Sequence, residues 1–168
     1  MSYRSGYAAL VGRPNVGKST LMNRLLGQKL AITSHKPQTT RHRIMGIRSQ
    51  VDGQIIFVDT PGIHARGNKA MNFYLNRAAR SALQGVDVIL FVIQALAWTE
   101  EDELVLKAIT EAGLPTIAVV NKVDLVPAKE KLLPFIQELA GRYNFLETVP
   151  ISAHDGDNVE VLAKTILD

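Results

Sequence analysis

Cysteine is absent from the 168 residues, which excludes a disulfide scaffold, a thiolate metal site and a cysteine nucleophile. No long hydrophobic run is present. The longest, such as Val88 to Ile93, holds six residues, whereas a membrane span needs about 20. The polar start, Met1 to Tyr7, has no apolar core of a secretory signal. Repeats, low-complexity tracts and linkers are also missing. These absences predict a soluble protein in the cytoplasm. Acidic residues are missing from one region only. Residues 1–50 carry nine Lys/Arg and no Asp or Glu, while residues 101–168 carry six against twelve. An N-terminal third of that sign predicts a polyanionic partner: a nucleotide, an RNA or an anionic membrane surface. The last would place the protein peripherally at the inner membrane.

What is present is globular in character, with 46% hydrophobic and 21% charged residues. The length fits one domain, residues 1–168, able to bury roughly 70% of its unfolded surface. Short apolar runs alternate with helical stretches. Tyr7–Val11 ends at a glycine and is followed by Leu21, Leu25 and Leu26 at helical spacing. Arg43–Gln50 and Gln54–Asp59 flank Asp52-Gly53, a hairpin signal. Met71, Tyr74, Leu75, Ala78 and Ala82 form one stripe of a helix over 70–84. Val86–Ile93 and Thr116–Val120 read as strands around a helix, Thr99–Ala112, with Thr99 as N-cap and acids in its first turn. Pro134 is expected at the first position of a helix reaching about Arg142. Phe145–Ile151 is expected as the last strand, and Val159, Leu162, Ala163 and Ile166 as the buried face of the last helix.

Ile55–Val58, Val88–Ile93 and Ile117–Val120 are continuous apolar runs without alternation, as in strands covered on both faces. The expected fold is α/β: a three-layer P-loop NTPase sandwich, a six-stranded mostly parallel sheet with one antiparallel strand, and about five helices. Ligands of such folds sit beyond the carboxyl ends of the strands, where four motifs fall.

Gly12-Arg13-Pro14-Asn15-Val16-Gly17-Lys18-Ser19 fits the phosphate loop G-x-x-x-x-G-K-[ST] between a strand and a helix. Its amides and the helix N-terminus suit phosphate oxygens. Lys18 would reach the β- and γ-phosphates and Ser19 would bind Mg²⁺, with Thr20 following in the same turn. Asp59-Thr60-Pro61-Gly62 ends a buried strand. Asp59 is placed to hold Mg²⁺ through a water, and Gly62 can bring its N–H against a γ-phosphate because no Cβ intervenes. In Asn121-Lys122-Val123-Asp124, a buried Asp124 would accept from the N1–H and 2-amino group of guanine. Adenine would leave it unpaired. Lys122 would lie along the base, and Asn121 would tie this loop to the phosphate loop. In Ile151-Ser152-Ala153, the Ala153 N–H would face guanine O6 and Ser152 would stiffen the turn. Between helix and hairpin, residues 34–42 hold a proline and two threonines. They read as a loop ordered by a γ-phosphate and Mg²⁺, with Thr40 as metal ligand and Thr39 as the alternative.

Together these motifs resemble those of translation-factor-type GTPases. Lys36-Pro37-Gln38-Thr39-Thr40-Arg41, Asp59-Thr60-Pro61-Gly62-Ile63-His64 and Val149-Pro150-Ile151-Ser152-Ala153 narrow the resemblance to the Era family of bacterial ribosome-assembly GTPases, over essentially the whole chain. The resemblance implies GTP binding and hydrolysis to GDP, a switch in small-subunit assembly, and contact with 16S rRNA. Family members follow this unit with a KH domain. No Gly-x-x-Gly loop occurs after residue 153, which leaves the basic N-terminal third to face RNA. Ile63 stands where signalling GTPases place the glutamine that orients water, so catalysis would rest on Lys18, Asn15, Thr40 and Gly62. A resemblance to potassium-dependent GTPases implies that Asn15 helps bind K⁺ beside the bridging oxygen. Two alternatives share the motifs: a tRNA-modifying or other ribosome-assembly GTPase, and a nucleotide-gated binding module with negligible hydrolysis.

Overall fold

The apolar runs that lack alternation become the middle of a six-stranded sheet. A computed structural model describes residues 4–12, 16–26, 44–50, 53–58, 85–127, 129–156 and 158–167. The strands are β1 (Arg4–Val11), β2 (Ile44–Gln50), β3 (Gly53–Val58), β4 (Val88–Gln94), β5 (Thr116–Asn121) and β6 (Glu147–Pro150), in the order β2-β3-β1-β4-β5-β6. β2 runs antiparallel to β3, and every other pairing is parallel. All six residues of β5 are buried, as are the five central residues of β4. This is the both-face coverage that their sequences predict.

Four helices occur among the described residues: α1 (Lys18–Leu26), α2 (Glu100–Ala112), α3 (Leu132–Ala140) and α4 (Val159–Leu167). The helix expected over 70–84 lies outside the described residues. Strand side chains alternate between two helical layers. Ala9, Val11, Phe91 and Val120 pack with Val105, Ile109 and Leu139 of α2 and α3. Ala8, Leu10, Val92 and Val119 pack with Leu21 and Leu25 of α1 and with Leu162 of α4. On α2, Val105, Leu106, Ala108 and Ile109 are buried, and Leu104 is only partly covered. None of the described helices is long and apolar enough to cross a membrane.

Local signals explain most boundaries. Thr99 caps α2 as expected and forms a reciprocal box: Asp102 N–H donates to Thr99 Oγ1, and Thr99 N–H donates to Asp102 Oδ2 at 2.8 Å. Gly113 closes the helix at φ +67°. Three expectations shift. Pro134 is the third residue of α3, because a 3-10 turn at Lys129–Lys131 winds straight into the helix. Proline is tolerated there since first-turn amides have no intrahelical acceptor. The hairpin pairs Gln50 with Gly53, so Gly53 already belongs to the strand. β1 begins at Arg4 because its polar start pairs with Gly53–Ile55 of β3.

Chain order places β3 on one side of β1 and β4 on the other. The carboxyl end of β1 is therefore a topological switch point, where such sheets bind ligands.

Candidate functional site

Three segments converge at that edge: the end of β1 with the start of α1, the turn after β5, and the turn after β6. Gly12 follows β1 and lies against β4; a Cβ there would come within 2.7 Å of the Val92 carbonyl oxygen. Lys18, the first residue of α1, folds back so that its Nζ donates to Gly12 O at 2.6 Å. This contact ties the first residue of the helix to the end of β1. The helix N-terminus beside the ammonium group adds partial positive charge, a combination suited to phosphate. Gly17 has φ +100°, and a Cβ at that position would collide with the Asn121 side-chain amide. Glycine is required here by backbone and neighbour alike.

Asn121 is the hub, buried at 2% exposure. Its Nδ2 donates to Val16 O at 2.9 Å, and its Oδ1 accepts from Ala153 N–H at 2.9 Å. The expected tie between phosphate loop and β5 turn is present, and it reaches the third segment as well. Lys122 takes φ +65°, a left-handed conformation that turns the chain out of β5. Its side chain passes beside Gly17. Val123–Leu125 then forms a 3-10 turn whose first amide donates to Ile151 O. Ser152 is fully buried. Its Oγ donates to Asp124 Oδ1 at 2.9 Å and accepts from Asp155 N–H at 3.1 Å. Ser152 therefore fixes both its own turn and the carboxylate.

Two expectations change at this edge. Asp124 is exposed, because the short 3-10 turn carries it away from the sheet. The Ala153 N–H does not face outward; it is taken by Asn121 Oδ1, an acceptor buried too deeply for water to satisfy. Ser19 and Thr20 lie in the first turn of α1 as expected, and Val16 precedes the helix. Arg13, Pro14, Asn15, Thr39, Thr40, Asp59, Thr60, Pro61, Gly62 and Ile63 lie outside the described residues.

A protein-family profile for the "50S ribosome-binding GTPase" matches residues 7–122, more than half of the chain. The chain belongs to the 50S ribosome-binding GTPase family. Among members of this family, it is similar to "GTPase Era" of Pseudomonas aeruginosa, with 51% identity over 98% of this chain and 54% of that protein. Two crystal structures of Era match at 42% identity over 98% of this chain and 56% of theirs. One is in complex with MgGDPNP and nucleotides 1506–1542 of 16S ribosomal RNA, with a TM-score of 0.79. The other, a variant of Era from Aquifex aeolicus bound to GDP and AlF4⁻, has a TM-score of 0.77. The chain spans about half the length of these relatives.

Two residues that contact the site's turns lie outside the motifs. Arg24 sits in the last turn of α1, and its guanidinium donates to the carbonyls of Ala153 and His154. Asn158, at φ +62°, donates from Nδ2 to Pro150 O and closes the same turn from its other side. Neither falls in a motif, and a lone arginine on an exposed helix position gives no spacing to read.

Proposed function

We propose that residues 1–168 form an Era-type GTPase unit that binds guanine nucleotide with Mg²⁺ and hydrolyses GTP to GDP and phosphate. The observation that carries this reading is the buried Asn121, which joins the phosphate loop at Val16 to the Ser152–Ala153 turn while Ser152 fixes Asp124. One side chain thereby sets the distance between a phosphate-binding loop and a carboxylate that can accept from N1–H and the 2-amino group of guanine. Adenine offers neither donor. With the Ala153 N–H taken by Asn121, the His154 N–H is the amide donor left in this turn for O6.

Lys18 neutralises β- and γ-phosphate oxygens through charge-assisted contacts. Asn15, Gly62 and the loop amides hold the phosphate chain in line, with Arg13, Pro14, Val16, Gly17 and Thr20 shaping the loop. Thr60, Pro61 and Ile63 belong to the segment that we assign to the γ-phosphate. Lys122 and Val123 back the base. Ser19, Thr40 and Asp59 are the residues that would hold the metal. Their hydroxyl and carboxylate oxygens are hard donors, and Ser19 opens the helix beside Lys18, a set that fits Mg²⁺. When bound, the ion neutralises charge shared by the β- and γ-phosphates. Ile63 cannot hydrogen-bond a water, so positioning and charge carry the rate. Asn15 is the candidate for holding K⁺ near the bridging oxygen, and Thr40 for sensing the γ-phosphate.

Era is crystallised with a 16S rRNA segment, and for this chain we take nucleotide state to gate contact with the small ribosomal subunit in the cytoplasm. Calorimetry tests the core of the proposal. Wild-type protein is expected to bind GDP, and Lys18→Ala to lose measurable binding. A Lys18→Ala protein that keeps wild-type affinity overturns the phosphate-loop assignment.

A further inference from the structure

Arg24 lies six residues after Lys18 on α1, at the opposite end of a nine-residue helix. Its Nε donates to Ala153 O at 2.9 Å and its Nη2 to His154 O. The turn leaves room for the guanidinium: at Gly156, with φ +87°, a Cβ would stand 3.3 Å from Arg24 Nη1. Consecutive carbonyls are thus gripped by one planar, permanently charged group.

Peptide planarity turns that grip into amide orientation. In a trans peptide the C=O and the following N–H point in opposite directions. Holding Ala153 O toward α1 therefore aims the His154 N–H away from α1. Holding His154 O in the same way fixes the Asp155 N–H, which donates to Ser152 Oγ, the hydroxyl that holds Asp124. The Ala153 N–H is already committed to Asn121. The two planes set by Arg24 therefore carry one donor for a base oxygen and one support for the base-reading carboxylate. The contacts also close a ring: Val16 to Asn121, Asn121 to Ala153, Ala153 to Arg24, and Arg24 along α1 back to Lys18.

We propose that Arg24 is a positioning residue for base recognition: it orients the His154 and Asp155 amides, and through Ser152 the Asp124 carboxylate, for a 6-oxo-2-aminopurine. This rests on the guanine-nucleotide reading above. Arg24 is exposed, so its replacement leaves the buried core intact.

The test is competition binding of GDP and ADP, which share phosphates and differ in the base. In Arg24→Ala the preference for GDP over ADP narrows by about fivefold, the scale of hydrogen bonds to a charged group partly screened by water. Arg24→Lys, which keeps the charge but reaches one carbonyl, recovers part of it. Arg48→Ala is the control, since the contacts described for Arg48 are Leu25 O of α1 and the Glu160 carboxylate of α4; it leaves the preference within twofold. An unchanged preference in Arg24→Ala overturns the inference, whether both affinities are kept or GDP and ADP are weakened by the same factor. Wild-type protein that shows no preference for GDP instead refutes the guanine reading itself.

Discussion

Replacing Asn121 tests whether one buried amide holds the two loops together. The side chain is 2% exposed and makes two hydrogen bonds of 2.9 Å, to Val16 O and from Ala153 N–H. Both partner residues are themselves buried, at 0% and 1% exposure. Asn121→Ala removes two bonds worth about 1 kcal/mol each and leaves a carbonyl and an amide buried without partners, at about 1–3 kcal/mol for each group left unsatisfied. Water entering the vacated space offsets part of that, so a loss of about 3 kcal/mol is expected. In a chain of this length that lowers the thermal midpoint by about 6–12 °C. Asn121→Asp is the sharper variant. It is nearly isosteric and still accepts from Ala153, but it sets a second acceptor against the Val16 carbonyl. If volume alone mattered it would be harmless; if the donor matters it costs as much as alanine. Urea unfolding of the three proteins decides. An Asp variant within about 0.5 kcal/mol of wild type, a shift typical of inconsequential surface changes, refutes the reasoning.

Gly17→Ala forces a Cβ into the Asn121 amide at a backbone of φ +100°, so a destabilisation of at least about 2 kcal/mol is expected; an unfolding midpoint equal to wild type contradicts it. The potassium role is tested by single-turnover GTP hydrolysis in K⁺ and in Na⁺. The expected outcome is a faster rate in K⁺, and loss of that difference in Asn15→Ala, because a cation near the bridging oxygen stabilises charge that grows in the transition state. Equal wild-type rates in the two salts remove the role.

The fold was legible where the signal was local or collective. Continuous apolar runs marked β4 and β5 as central, and Thr99 with the acids after it marked the start of α2. Boundaries failed where a neighbour decided them. Pro134 follows a 3-10 turn that no proline rule anticipates, and the hairpin register depends on Gln50 pairing with Gly53 rather than on the Asp-Gly dipeptide. In the site, Asn121 and Ser152 could be placed because their motifs specify partners. The Ala153 amide could not, because its competitor is the buried Asn121 oxygen, a contact between residues 32 apart. Arg24 was invisible for the same reason, 129 residues from its nearest partner in the chain.

We propose that Asp124 reads guanine at a nucleotide site built around Asn121. Equilibrium binding of GDP and XDP to wild type and to Asp124→Asn tests it most directly. Xanthine carries a carbonyl where guanine carries its amino group, and an asparagine amide can donate to it. Wild type is expected to bind GDP and reject XDP, and Asp124→Asn to reverse the order, with GDP weakened by at least about tenfold, or about 1.4 kcal/mol. Asp124→Asn protein that binds GDP as tightly as wild type contradicts it.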